Sequence, residues 1–163
     1  MKVRRRARIA AFQALFEIDS VGHDPSYAIY MRLQEDELPS EGEAFCRDLA
    51  HGVLQHREVL DRILQRIAPE WPITQMAITD RNILRMAAFE VLFSGGTPAK
   101  VVINEAVELA KLFGSDSSGR FVNGVLGTLV AKRREFAQEA SAAAPPTPRA
   151  DEAGSSGNPH TES

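Results

Sequence analysis

Pro98 to Leu126 reads PAKVVINEAVELAKLFGSDSSGRFVNGVL, two apolar helix faces joined by a short polar turn. Val102, Ile103, Ala106, Leu109, Ala110 and Phe113 recur at three- and four-residue spacing, which lines one side of a helix. Pro98 suits the first helical position with Thr97 as its cap. Gly114 suits the stop, where a left-handed residue is wanted. A second face follows in Phe121, Val122, Val125, Leu126, Leu129 and Val130. Asn123-Gly124 inside it is a strong two-residue hairpin signal. The apolar positions on both sides nevertheless keep helical phase, and no alternating pattern flanks the pair, so the segment is expected to be helix. Gly124 and Gly127 then each cost about 1 kcal/mol against Ala. Such a cost suggests a close helix contact or backbone left bare for a ligand.

The same periodicity runs through the chain. Residues 3 to 19 carry Ile9, Phe12, Leu15 and Phe16 on one face. Asp24 caps a short helix that opens on Pro25 and runs to about Glu35. Ser40 and Glu43 form a capping box for a long helix with Phe45, Leu49, Val53, Leu60, Ile63, Leu64 and Ile67 inward. Gly52 and the polar Gln55-His56-Arg57 mark a bend or break in it, and Pro69 and Pro72 around Trp71 end it. Ile73 to Ile78 is expected to add one more turn. Thr79 or Asp80 starts a helix that stops at Gly95-Gly96, and the last helix spans about Ser117 to Phe136. No strand is expected. The fold class is all-α, with about seven helices. Residues 1–137 are read as one helical domain and 138–163 as a disordered tail rich in Ala, Pro, Ser and Gly.

Composition narrows the function. The net charge of −3 lies entirely in the segment from Gln138, which leaves 18 basic against 18 acidic residues before it. A neutral body binds nucleic acid only through a local patch. Cys46 is the sole cysteine, so no disulfide forms within the chain. The basic start is not followed by an apolar run long enough for a signal peptide or a membrane span, which argues for a cytoplasmic protein.

No catalytic constellation emerges. His51 and His56 are five apart and do not share a helix face; Glu105 and Glu108 lack an accompanying Glu-x-x-His. Cys46 sits in an apolar face as a small hydrophobe. There is no Walker loop, dinucleotide fingerprint or serine elbow. No metal, cofactor or enzyme activity is expected.

What remains is single-stranded RNA binding, where cations track phosphates and aromatic or polar groups meet splayed bases. Arg4, Arg5, Arg6 and Arg8 lie in the first turns of a helix with no acid before Glu17, against the macrodipole. An anionic partner explains that cost, and a solvated basic end explains it too. Lys111 and Arg120 extend the patch. The turn Ser115 to Gly119 offers hydroxyls and N–H groups at a helix start, an anion seat, with Phe121 and Asn123 next to it. For Phe121, periodicity alone favours core packing.

Four pieces together, INEAVELAKLFG (Ile103 to Gly114), FVNGVL (Phe121 to Leu126), DRNILRMAAFE (Asp80 to Glu90) and the RRRAR start with QALF (Gln13 to Phe16), closely resemble the NusB family of bacterial transcription antitermination factors. The match covers roughly residues 2 to 136. The resemblance implies two packed helical sub-bundles with the N-terminal arm near the last helix. It implies that Arg4, Arg5, Arg6, Arg8, Arg120, Phe121 and Asn123 contact boxA RNA, with Gln13 a weaker choice. It also implies a second partner, NusE, a small-subunit ribosomal protein, contacting Asp80 and Phe16; a capping carboxylate and a core aromatic are the plain readings of those two. The implied role is to hold boxA of nascent ribosomal transcripts jointly with NusE in the RNA polymerase antitermination complex. Two alternatives stand beside it. One is an RNA-binding domain related to ribosomal RNA cytosine methyltransferases, although no glycine-rich cofactor loop or catalytic cysteine motif is present. The other is a helical homodimer that hides its RNA face until NusE arrives. Gly119 departs from the family pattern, as does the long tail after Phe136.

Overall fold

Alanine sets the geometry of the first layer. The computed structural model describes residues 2–143. Its first helix, α1 (Val3–Val21), buries Ala7, Ala10, Ala11 and Ala14 completely, with Phe12 and Leu15 between them. Small side chains let helix axes approach closely, and α1 packs against both α2 (Pro25–Asp36) and α3 (Ser40–Gln55). These three form one sub-bundle. The second comprises α4 (Arg57–Ile67), α5 (Ile78–Phe89), α6 (Ala99–Phe113), α7 (Ser118–Ala131) and α8 (Arg133–Ala143). α5 is the shared post, touching α1, α3, α4, α6 and α7. Its Ile83, Leu84, Met86 and Ala88 are all but inaccessible to water.

A polar network pins the two sub-bundles together. Arg81 donates two hydrogen bonds to Asp19, at 2.8 and 3.0 Å, and Asn82 and Arg85 donate to the same carboxylate. Arg85 also forks onto Asp61 of α4 at 2.7 and 3.0 Å. Burial pushes the Asp19 carboxyl up, but the bonds from Arg81 and Asn82 and the charge of Arg85 outweigh it and hold the pKa at about 2. One desolvated acid thus ties α1 to α5 through three donors.

Among the described residues the fold is all-α, with eight α-helices where about seven were expected. Two breaks add two helices, and the turn expected at Ile73 to Ile78 is only a short 3-10 segment. The long helix divides at His56, whose ring packs at a tilt on Phe93 with centroids 4.1 Å apart, and the last helix divides at Lys132. A 3-10 turn (Ile73–Gln75) and a π turn (Glu90–Ser94) complete the inventory, the latter closed by Gly95 at φ 70°. The Asn123-Gly124 pair lies within α7, as the phase of its neighbours required.

Several local expectations are corrected. Pro98, not Thr97, occupies the cap of α6, so Ala99 is the first helical residue. Pro39 takes the cap of α3 and Ser40 is already helical, so the Ser40–Glu43 capping box does not form. α5 starts at Ile78, which places Asp80 in its first turn rather than at its cap. Gly114 is extended (φ −99°, ψ −167°) rather than left-handed. Glycine is required there for a different reason. A Cβ would lie 2.5 Å from Ser118 Oγ and 2.8 Å from the Ala110 carbonyl oxygen. Gly124 and Gly127 show the reverse: a Cβ at either meets nothing within 4 Å, so no close helix contact explains them.

The tail was expected from Gln138, but α8 continues to Ala143. Ala140 is buried, and Glu139 pairs with Arg66 of α4, which also holds Glu135. The remainder of that expectation, residues 144–163, lies outside the described residues.

Candidate nucleic-acid interface

The four opening arginines separate into two kinds. Helical phase turns Arg8 inward, where it forks onto Glu90 at 2.9 and 2.7 Å. Both side chains are nearly inaccessible, at 6% and 4%. That fork uses Nε and one face of Nη2, and the residue also lines the groove beside Arg4 and Arg5. Arg6 donates to the Asp36 carbonyl oxygen at 3.0 Å and so braces the end of α2. Arg4 and Arg5 face out. Arg4 lies over the Phe45 ring at 4.7 Å and reaches Thr97 Oγ1 at 3.4 Å. Arg5 forks onto Glu105 of α6 at 3.0 and 2.8 Å, with 41% of its side chain exposed. The Arg5 hydrogen bond holds the Glu105 carboxyl below its ordinary range against the opposing effect of burial.

These side chains line an open groove of about 490 Å³. Lys2, Arg4, Arg5 and Arg8 line it from the arm, and the loop from Gly96 to Pro98 with Val101 and Glu105 of α6 lines it opposite. The arm therefore lies against the start of α6, with α6 between it and the first turn of α7.

A second cluster surrounds the α6–α7 turn. Ser118 Oγ accepts a 2.9 Å hydrogen bond from Ser115 N–H, and Ser118 N–H returns one to the Ser115 carbonyl. The hydroxyl of Ser118 is therefore spent on the turn itself and is buried, while Ser115 and Ser117 stay exposed. Lys111, Arg120 and Asn123 share one shallow groove of about 480 Å³. Arg120 and Phe121 share another, of about 350 Å³, with Asp80 and Trp71. Phe121 is half-buried and meets the Trp71 ring edge-on at 6.1 Å. Asp80 Oδ1 is buried there without a hydrogen-bond partner among the described residues.

The sequence-assigned residues thus fall into separate places along α6. The groove that holds Arg4 and Arg5 does not include Phe121, and the groove that holds Phe121 includes neither arginine. α6 separates them by about 22 Å at 1.5 Å per residue, and Glu105, Glu108 and Lys111 mark the way between, the last two paired at 3.6 Å. Gln13 is half-buried in the middle of α1. Phe16 is 36% exposed and packs on Phe12, which meets Phe113 of α6 at 4.9 Å. Trp71 and Lys2 are among the residues of these grooves that sequence reasoning passed over. Trp71 carried a signal, a lone Trp between two prolines in a connector. Lys2 stood beside the arginines that were chosen.

Comparison with known proteins decides the lineage. The model of the NusB family matches residues 5–131. The chain belongs to the NusB family. Transcription antitermination protein NusB of Roseiflexus sp. (strain RS-1) is 53% identical over 135 residues, covering 82% of this chain and 95% of that protein. Among solved structures, NusB of T. maritima superposes with a TM-score of 0.75 at 31% identity, over 82% of this chain and 96% of that one. A crystal structure of antitermination factors NusB and NusE in complex with dsRNA matches with a TM-score of 0.74 at 26% identity, over 80% and 98%. The present protein is a NusB-family transcription antitermination factor. No helix among its described residues is long and apolar enough to cross a membrane.

Proposed function

We propose that this NusB-family factor is a non-enzymatic RNA-binding protein of the cytoplasm that holds boxA RNA of nascent ribosomal transcripts jointly with NusE. The observation that carries the reading is the arm groove. Lys2 and Arg4 stand exposed there with no carboxylate within 4.0 Å among the described residues, on a body of neutral charge. Arg5 presents its outer face to the same groove. Phosphates engage these three, and the strand then follows α6 to Lys111, Arg120 and Asn123, where Phe121 and Trp71 offer ring edges and faces to bases. Arg8 and Arg6 act from behind, fixing the pitch of α1 and the end of α2. NusE docks at the opposite end of α6, on Phe16 and its neighbours, with Asp80 at the margin. The similar protein crystallised with NusE and dsRNA supports both partners.

The test is binding of boxA RNA, single-stranded and in duplex form, with and without NusE. About five phosphate contacts give a single-strand salt slope near −3.5. Lys2→Ala with Arg4→Ala and Arg5→Ala should weaken single-stranded boxA binding by ten-fold or more and make that slope shallower by about 2. A variant that binds boxA unchanged, or a wild-type protein whose affinity ignores salt, refutes the proposal.

A further inference from the structure

Three helices begin at the same end of the molecule, and each begins with cations. α1 opens on Arg4 and Arg5, α6 carries Lys100 in its first turn, and α8 opens on Arg133 and Arg134 directly after Lys132. The convergence follows from the packing. The four-residue link from Gly114 to Ser117 makes α6 and α7 an antiparallel pair. A Cβ on Gly119 would lie 3.8 Å from both Val107 and Lys111, which sets the register. Carried along two helices of nearly equal length, that register sets the end of α7 level with the start of α6 and the Gly96–Pro98 loop before it. Arg4 touches the same loop from the other side through Thr97, and Arg133 Nη2 donates to the Val91 carbonyl oxygen at 3.4 Å just before it.

This arrangement opposes ordinary helix electrostatics. Cations are favoured at helix C-termini and carboxylates at N-termini. Here α1 and α6 have no acid in the first turn. The one acid in the first turn of α8, Glu135, turns away to Arg66. Among the described residues, Lys100, Lys132 and Arg134 have no carboxylate within 4.0 Å, and all three are exposed. A protein partner would want apolar anchors at this surface. The large exposed apolar residues lie elsewhere, and only Val101 falls here. A phosphate backbone needs cations alone.

The geometry points to a second phosphate-binding wall: Lys132 and Arg134 at the α7–α8 elbow, with Lys100 between them and the arm, take the RNA backbone that flanks the segment held by Arg4 and Arg5. This rests on the RNA reading above and extends it beyond the arm and the α6–α7 turn. The strand would cross the start of α6 and continue over the elbow, so the factor contacts more RNA than the arm groove can cover.

The test compares boxA RNA with the same RNA carrying a single-stranded extension on each side. Wild-type protein should bind the extended RNA about ten-fold more tightly at moderate salt, with a slope steeper by about 2 for three added contacts at 0.7 each. In the triple variant Lys100→Gln, Lys132→Gln, Arg134→Gln, that gain should shrink to two-fold or less. Arg133 is left intact because it braces the π turn, and a melting curve checks that the variant folds. If the variant keeps the full gain while Arg4→Ala with Arg5→Ala weakens the short RNA, the elbow plays no part and the inference fails alone. If the arm variant also binds normally, the RNA reading fails and this inference falls with it.

Discussion

Arg4, Arg5, Arg6 and Arg8 look alike in the sequence, and the structure gives them different work. Helical phase determines the division: Arg4 and Arg5 face the groove, while Arg8 shares the inward stripe with Ala7, Ala11 and Phe12. The stripe was legible, but Glu90, the residue that makes burial of Arg8 tolerable, lies 82 positions away, and no local pattern announces it. Asp19 is a similar case, a polar position near the end of α1 that proves to be the hub of a three-donor network. Its pKa is depressed to about 2, below the unfolded value near 4. A depressed acid contributes stability that is present above the unfolded pKa and is lost as pH falls through the folded one. Unfolding free energy should therefore drop by about 1–2 kcal/mol between about pH 5 and pH 2 on account of this residue. Denaturant titrations of wild type and Asp19→Asn across that window check it. The variant should be less stable at neutral pH, and the gap should close in acid; a gap that stays constant would refute the assignment.

At the scale of elements, the order and type of the helices could be read because apolar spacing is a local property. Their ends were harder, because caps depend on side-chain geometry that neighbouring helices impose. Gly114 and Gly124 show how far apart two glycines can be. At Gly114 the backbone is extended, which any residue adopts, yet Ser118 and the Ala110 carbonyl leave no room for a Cβ. At Gly124 the space is open. Gly114→Ala should thus cost about 1–3 kcal/mol through overpacking of a turn whose obstructing atom is partly backbone. Gly124→Ala and Gly127→Ala should each stabilise by up to about 1 kcal/mol. Thermal melts of the three variants separate these outcomes. If Gly124→Ala stabilises the fold but weakens boxA binding, the bare stretch of α7 serves the RNA, the second of the two uses that its cost suggested. Equal destabilisation by all three would contradict the packing described.

The whole molecule is polarised along α6. α1 runs beside it in the same direction, because Arg4 meets Thr97 at one end and Phe12 meets Phe113 towards the other. Cations gather where α1, α6 and α8 begin. At the far end Phe16, Leu112 and Phe113 stand exposed by 36%, 59% and 38%. Three large apolar side chains in one neighbourhood suit a protein partner, and the Ser115–Phe121 junction begins two residues after Phe113. A NusE molecule seated there would abut the place where the strand leaves α6, so partner and RNA would bind side by side without competing for a surface. This distribution could not be read from composition, since the body is electrically balanced and its charges segregate only on folding. It also separates two activities that a single affinity measurement merges. Leu112→Asp, which removes the most exposed of the three apolar anchors and leaves the core around Phe12 intact, should reduce NusE association at least ten-fold, a loss of about 1.4 kcal/mol or more. The same variant should bind boxA by itself as the wild type does, and should lose the enhancement that NusE brings. Calorimetry with NusE and RNA titrations with and without it read the two effects independently. Undiminished NusE binding by Leu112→Asp would place the partner on another surface and would remove the reason for the polarity described.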